Sequence, residues 1–217
     1  MALFALQQEL IFPPVNLAEP DGLLAMGGDL STERLLLAYK SGIFPWYEGD
    51  VPLWWCPDPR FVLFPEKLKV SKTMRQLIKK ETFRFSVNTN FRSVIRACKT
   101  SSRKNQHGTW ITDEVEEAYC LLHEKGYAHS AEAWVGDDLA GGLYGIRMGK
   151  VFFGESMFSH QSNASKLAFI RYVQLLQQEG IELIDCQVHT AHLESLGAEM
   201  IPREIFMKKL ESLLSGG

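Results

Sequence analysis

The chain has 217 residues, of which 46% are hydrophobic and 23% charged, and a formal net charge of -3. These proportions are typical of a soluble globular protein, and no apolar run reaches the roughly 20 residues that a membrane span needs. The N-terminal segment lacks the basic start of a signal peptide, and the four cysteines form no CxxC pair. We therefore expect reduced thiols, no metal site and a cytoplasmic location.

The first sixty residues predict a small N-terminal domain, which we place at residues 1–62. The stretch STERLLLAYKSG predicts a short helix with Ser31 or Thr32 at its N-cap and Gly42 at its end. Proline and tryptophan are concentrated in the next stretch, IFPWYEGDVPLWWCPDPR, and the repeated prolines lead us to expect no regular structure in it. A larger domain follows at residues 63–217.

The first part of the larger domain predicts helices around one strand. The segment SKTMRQLIKK predicts a helix with an apolar face and four exposed cations, Lys72, Arg75, Lys79 and Lys80. ETFRFSV alternates like a strand, whereas NFRSVIRACK and TDEVEEAYCLLHEKG have the spacing of helices. Between these two helices we expect a polar loop, TSSRKNQHG, which carries Arg103, Lys104 and His107.

The second part predicts a sheet. AHSAEAWV, LAGGLYGIRM and KVFFGESMF have a period of two and predict three successive antiparallel strands. A long helix is expected at residues 163–179, then a buried strand in IELIDCQV and a helix from Pro202 to Leu214. The order of these elements predicts an α/β (α+β) domain with a mixed sheet.

Charge is distributed unevenly along the chain. Residues 67–104 contain 12 Lys or Arg and one acid, a net charge of +11, and the remaining residues carry -14. A basic block of this kind favours a nucleic-acid backbone as partner. A helix surface that is simply solvated explains the charge equally well, so both interpretations stay open.

Three polar residues fall at the predicted ends of two strands. Glu155 lies near the end of the third antiparallel strand, and Asp185 and Gln187 lie at the end of the strand that follows the long helix. If the two strands are parallel neighbours, all three side chains reach one edge of the sheet, where ligands commonly bind. Alternation places Cys186 on the opposite face. Helix capping or ion pairing would explain the carboxylates without a ligand.

A set of motifs in a fixed order now identifies a family. GESMFS followed by NASK, LIDCQV, SLGAE-x-IPR, GTWIT, DGLLAMGGDLS, GIFPW and LWWCPDPR resemble the bacterial leucyl/phenylalanyl-tRNA–protein transferases from about Phe12 to Phe206. The resemblance implies transfer of leucine, phenylalanine and less often methionine from aminoacyl-tRNA to proteins that begin with Arg or Lys, marking them for N-degron degradation. It also implies an acetyltransferase-like (GNAT-type) domain behind a small N-terminal domain, and neither metal nor cofactor.

The resemblance also implies roles for the three strand-end residues. Asp185 and Gln187 match the catalytic pair, in which Asp185 polarises the Gln187 amide that helps to activate the attacking amine. A purely positioning role for both is the alternative. Glu155 matches the glutamate of the family's GES motif, and we expect it to orient an amino group of one substrate.

Further residues match the family's substrate-binding positions. The aminoacyl pocket is implied at Leu143, Phe152, Met157 and Ile184, with Phe169 as an additional candidate. The family pattern has methionine where this chain has Leu143, which leaves the preference between phenylalanine and leucine open. Trp46 and Trp110 match tryptophans near the tRNA 3′ end, where one would stack on the terminal adenine unless both are core residues. Lys72, Arg75, Lys79 and Lys80 would then contact acceptor-stem phosphates.

Two other functions are each consistent with part of the sequence. An acyl-CoA N-acetyltransferase shares the expected fold, but it binds pyrophosphate on a glycine-rich loop before the long helix, and this chain has HQSNASK there. A non-catalytic tRNA-binding module would explain the basic block but not the grouping of Glu155, Asp185 and Gln187.

Overall fold

The computed structural model describes residues 3–101 and 110–215. Arg103, Lys104 and His107 of the predicted polar loop lie outside the described residues. No helix in the described ranges combines the length and apolar composition needed to cross a bilayer.

The N-terminal region forms a small four-stranded sheet with one helix. Its strands are β1 (Phe4–Leu6), β2 (Leu23–Gly27), β3 (Phe44–Pro45) and β4 (Leu53–Trp55), in the order β1-β2-β4-β3. Helix α1 (Thr32–Lys40) begins at Ser31, whose hydroxyl accepts the main-chain N–H of Arg34, so the predicted helix is confirmed. The expectation of no regular structure between residues 43 and 60 is wrong at β3 and β4. Strand β3 pairs with β4, and β4 pairs with β2, which is distant along the chain, so local sequence does not reveal these strands.

A seven-stranded mixed sheet forms the larger part of the molecule. Its strands are β5 (Arg60–Leu63), β6 (Arg84–Val87), β7 (Ala128–Val135), β8 (Asp138–Met148), β9 (Val151–Ser159), β10 (Leu183–Gln187) and β11 (Glu199–Ile201). The order is β11-β5-β10-β9-β8-β7-β6, and β9 and β10 are parallel while all other neighbours are antiparallel. The predicted mixed sheet, its three antiparallel strands and the parallel pairing across a helix are confirmed. The domain boundary predicted between residues 62 and 63 falls within β5.

Helices cover both faces of the large sheet. They are α2 (Lys72–Lys79), α3 (Phe91–Thr100), α4 (Asp113–Glu124), α5 (Ala164–Gln178), α6 (Ala191–Glu194) and α7 (Arg203–Leu214). One apolar cluster joins α5 and Met74 of α2 to sheet residues such as Phe152 and Ile184. The other joins α1, α3, α4 and α7 to the opposite face, where Phe153 and Tyr144 lie. This alternation of neighbours along β9 follows from the period of two in a strand.

Candidate active site

Asp185 lies in the middle of β10, fully buried against a guanidinium from the neighbouring strand β5. Arg60 Nε donates to Asp185 Oδ1 at 2.8 Å, and Arg60 Nη2 donates to Oδ2 at 2.7 Å. The Arg60 guanidinium lies between the rings of Phe44 and Phe206, 4.8 and 4.6 Å from their centroids. Both members of the ion pair are buried, so each charge offsets the desolvation cost of the other.

Gln187 connects Asp185 to Glu155. Asp185 pairs with Val62 and Gln187 pairs with Phe61, so Cys186 is an extra residue in β10 and forms a β-bulge. Gln187 has a φ of 59°. In this left-handed conformation its main-chain N–H donates to Asp185 Oδ1 at 3.0 Å, and its side-chain Nε2 donates to Glu155 Oε1 at 3.1 Å. The carboxylate of Asp185 thus contacts the main chain of Gln187.

Glu155 lies in the middle of β9, so the prediction that it falls near the end of the strand is wrong, because pairing with β8 continues to Ser159. It is the extra residue of a second bulge. Tyr144 of β8 pairs with Ser156 and Gly145 pairs with Gly154, which leaves Glu155 without a partner across the strands. A bulge re-aims a side chain, and here it directs Glu155 towards α4. The hydroxyl of Tyr119 on α4 donates to Glu155 Oε2 at 3.1 Å.

Two buried phenols stand behind the Glu155 carboxylate. The hydroxyls of Tyr39 and Tyr119 are hydrogen-bonded to each other, and both side chains are fully buried. Burial raises the pKa of Glu155 from its usual 4.5 to about 7, although hydrogen bonding from Tyr39 and Tyr119 opposes that rise. Burial, followed by the charge of Glu155, raises the pKa of both phenols well above the usual value. The carboxyl group can therefore gain or lose a proton near neutral pH.

An apolar cavity of about 460 Å³ opens beside this network. Glu155 and Gln187 line it together with four of the predicted pocket residues, Leu143, Met157, Phe169 and Ile184. Phe152 lies elsewhere, with its ring packed against Tyr172 at 5.1 Å between centroids. His192 of α6 also lines the cavity.

The two predicted tryptophans differ in exposure. Trp46 is 38% exposed and packs against Trp55 at 5.8 Å between ring centroids. Trp110 is 5% exposed and meets Tyr119 edge-on at 6.4 Å. Trp110 therefore lies in the core behind Glu155, and Trp46 presents part of its ring to solvent.

The basic block is split between two helices with different surroundings. On α2, Lys72, Arg75, Lys79 and Lys80 are exposed, and within the described ranges none of the four forms an ion pair. On α3, the cations pair with acids of α4 in contacts that join Arg92, Arg96 and Lys99 to Asp113, Glu116 and Glu117. Of these two helices, α2 is therefore the one whose cations carry no ion pair among the described residues and can meet a charged partner.

Sequence reasoning missed Arg60, Tyr39 and Tyr119. Each lies far from its partner along the chain, 125 residues in the case of Arg60 and Asp185. The sequence did contain one indication for Arg60, because this charged residue directly precedes the apolar run FVLF. A buried strand tolerates a charged side chain only when a counter-charge lies next to it. Among the described residues, no group of three or more His, Cys, Asp or Glu is placed to hold a metal ion.

Solved structures overlap with this fold at low similarity. The structure of L-PGS from Bacillus licheniformis has a TM-score of 0.42 at 12% identity. The match covers 77% of this chain and 54% of the L-PGS chain. A GCN5-related N-acetyltransferase-like protein from Streptococcus suis has a TM-score of 0.39 at 11% identity, covering 74% and 59%.

Sequence comparison is far more specific. Residues 28–58 match the family model described as the leucyl/phenylalanyl-tRNA protein transferase N-terminal domain, and residues 62–211 match leucyl/phenylalanyl-tRNA protein transferase. A leucyl/phenylalanyl-tRNA–protein transferase of Syntrophus aciditrophicus is 56% identical over 207 residues, 95% of this chain and 87% of that protein. One of Flavobacterium johnsoniae is 54% identical over 211 residues, 97% of this chain and 100% of that protein. The chain therefore belongs to the leucyl/phenylalanyl-tRNA protein transferase family of aminoacyltransferases.

Proposed function

We propose that this aminoacyltransferase moves leucine, phenylalanine and less often methionine from aminoacyl-tRNA to proteins with N-terminal Arg or Lys, marking them for N-degron degradation in the cytoplasm. The observation that carries the proposal is the hydrogen-bonded line Arg60–Asp185–Gln187–Glu155 at the wall of an apolar cavity. Such a site combines a place for an apolar aminoacyl side chain with polar groups for its reacting end.

The reaction is aminolysis of an ester. The neutral α-amine of the acceptor attacks the aminoacyl carbonyl carbon, a C–N bond forms, and the bond from that carbon to the ribose oxygen breaks. The amine loses one proton and the ribose oxygen gains one, so the overall step needs no added oxidant, reductant or energy source. Catalysis then consists of holding the two reactants together, moving the proton and stabilising the developing oxyanion.

Glu155 is assigned to the amino group of a substrate. Its Oε1 and Oε2 each accept one hydrogen bond from the protein, and a carboxylate oxygen has capacity for a second. In its charged form it can accept from an ammonium or amine at the cavity wall. Gln187 donates to Glu155 and leaves its amide oxygen for an amine N–H, which supports a joint role in orienting the nucleophile.

The cavity suits an aminoacyl side chain that is unbranched at Cβ. Leu143, Met157, Phe169 and Ile184 provide an apolar lining, and a flexible methionine adapts to either a leucine or an aromatic ring. A volume of about 460 Å³ lies within the usual range for a small-ligand site. Phe152 would act on this pocket through packing, since it does not line the cavity.

Binding of tRNA is assigned to α2 and Trp46. The four exposed cations Lys72, Arg75, Lys79 and Lys80 can contact phosphates without reading sequence, so different tRNAs with the right amino acid would serve. Trp46 is the better placed of the two tryptophans for stacking on the terminal adenine, because its ring is partly exposed. Trp110 supports the site from the core through Tyr119.

The decisive experiment follows labelled leucine from Leu-tRNA to a peptide that starts with Arg, without ATP. We expect transfer by the wild type and a sharp loss in Asp185→Ala. Transfer that the substitution leaves unchanged would keep the function and remove Asp185 from the site. No transfer by the wild type, with tRNA still bound, would favour a tRNA-binding module instead.

A further inference from the structure

Gln187 holds a main-chain conformation that the protein must enforce. Its φ of 59° lies in the left-handed region, which side-chain-bearing residues seldom adopt, and such a conformation persists only where the surroundings over-determine it. The bulge at Cys186 brings the Gln187 N–H onto Asp185 Oδ1 at 3.0 Å. From this backbone position the side-chain amide reaches Glu155.

Arg60 fixes the acceptor on which that conformation depends. Its two parallel donors engage both oxygens of Asp185, so the carboxylate cannot rotate about its terminal bond without losing one contact. The guanidinium is fully buried and packed between Phe44 of β3 and Phe206 of α7. A single-point cation such as lysine would neutralise Asp185 without fixing its plane.

We propose that Arg60 is a positioning residue for the transfer reaction, acting through Asp185 to hold the main chain of Gln187 so that its amide faces Glu155 at the cavity wall. The inference rests on the proposed function, in which Gln187 and Glu155 orient the reacting amine. Asp185 thereby acts on Gln187 from the main chain, in place of polarising its side-chain amide. The competing explanation is an ion pair that only joins β5 to β10.

The test compares Arg60→Lys with the wild type in the leucine-transfer assay, after circular dichroism has shown that the variant is folded. We expect kcat to fall roughly ten- to a hundredfold, with a smaller change in KM for Leu-tRNA, because misplacement by about 1 Å can have that effect on rate. Wild-type kcat in the folded variant overturns the proposal. Failure of the wild type itself to transfer leucine would instead refute the proposed function.

A double-mutant cycle separates positioning from a general structural effect. If Arg60 acts only through the Gln187 amide, Arg60→Lys has almost no further effect in a Gln187→Ala background. If the two substitutions reduce kcat by independent factors, Arg60 merely supports the fold and the proposal is wrong. Should Arg60→Lys not fold, Asp185→Asn takes its place in the cycle, because it has the same shape and breaks the bidentate pair; the same two outcomes then decide.

Discussion

Charged side chains in this protein fall into two regions with opposite surroundings. In the middle of β9 and β10, every carboxylate oxygen of Asp185 and Glu155 has a partner from the protein, supplied by Arg60, Gln187 or Tyr119. On α2, the four cations are exposed, and in the part of the chain that the structure describes they have no ionic partner. The charge distribution along the sequence indicated the exposed cations of the second region, whereas it gave no sign of the buried ion pair in the first.

Buried and exposed charges affect different properties of this protein. Removing one member of a buried pair leaves the other without compensation, so stability and activity both change and salt has little influence. Removing an exposed charge leaves the fold almost unchanged, and any effect must come through a ligand and weaken as salt rises.

Asp185→Ala leaves Arg60 buried without a counter-charge. We expect the free energy of unfolding to fall by roughly 3–5 kcal/mol, as for other broken buried pairs. For a chain of this size that corresponds to a decrease in Tm of roughly 6–20 °C, measured by thermal unfolding.

The double variant Arg60→Met/Asp185→Leu provides the matched control. It replaces the ion pair by apolar side chains, so we expect it to recover most of the lost stability while transfer stays low. An Asp185→Ala protein as stable as the wild type would contradict the prediction, because the pair would then be irrelevant to folding.

Glu155→Gln removes a carboxyl group whose pKa is raised from 4.5 to about 7 in the native state. Between those pH values the native state binds more protons than the unfolded state, so wild-type stability declines as pH rises through this range. The variant lacks this contribution, and its stability should vary less between pH 5 and pH 8 in urea unfolding. At subsaturating Leu-tRNA, we expect transfer to fall by roughly ten- to a hundredfold.

An unchanged slope of stability with pH in Glu155→Gln would show that another group titrates in this range. Full transfer by the variant at subsaturating substrate would remove Glu155 from the binding of amino groups. The two measurements are independent, so each can fail alone.

Tyr119→Phe removes one hydroxyl that hydrogen-bonds Glu155 and lowers the pKa of its carboxyl group. We expect that pKa to rise further and the Glu155-dependent limb of the pH–rate profile to move to higher pH. Stability should fall by about 1–3 kcal/mol, because the buried Tyr39 hydroxyl loses its hydrogen bond to Tyr119. Tyr172→Phe is the control, since Tyr172 packs on Phe152 across the sheet and should leave the limb in place.

Lys79→Ala/Lys80→Ala should have the smallest effect on the protein itself. We expect stability to change by less than about 0.5 kcal/mol, KM for aminoacyl-tRNA to rise, and the slope of log affinity against log salt to decrease in magnitude by about 2. The matched control is Arg92→Ala/Arg96→Ala, which removes the same charge from cations that pair with Glu116 and Glu117. Equal salt slopes for the two double variants would mean that α2 is only a solvated surface.

Much of the scaffold could be predicted from the sequence because it depends on local periodicity. The strand containing Glu155, the helix after it and the strand containing Asp185 follow from alternation and from caps, and a helical crossover implies that the two strands are parallel. This was enough to bring Glu155, Asp185 and Gln187 to one edge of the sheet. The prediction of no regular structure failed where two short strands rely on distant partners.

The chemistry of the site depended on contacts that no local pattern contains. Strand β5 inserts between β10 and β11, which brings Arg60 to Asp185, and this order is decided by the packing of the whole sheet. Two bulges turn Glu155 and Gln187 towards each other. Each bulge shifts the pairing between neighbouring strands by one residue, and the alternation of apolar and polar residues in the sequence does not predict such a shift. Tyr39 and Tyr119 come from helices on separate parts of the chain and meet only in the packed core.

The small N-terminal sheet and its helix form part of the surroundings of the candidate site. Tyr39 of α1 stands behind Glu155, and Phe44 of β3 covers one face of the guanidinium that holds Asp185. A gene shortened at its 5′ end would therefore encode a protein without one of the two phenols behind Glu155 and without one of the aromatic rings that cover Arg60. The two segments that sequence comparison separates thus meet around one buried network, and neither encloses it alone.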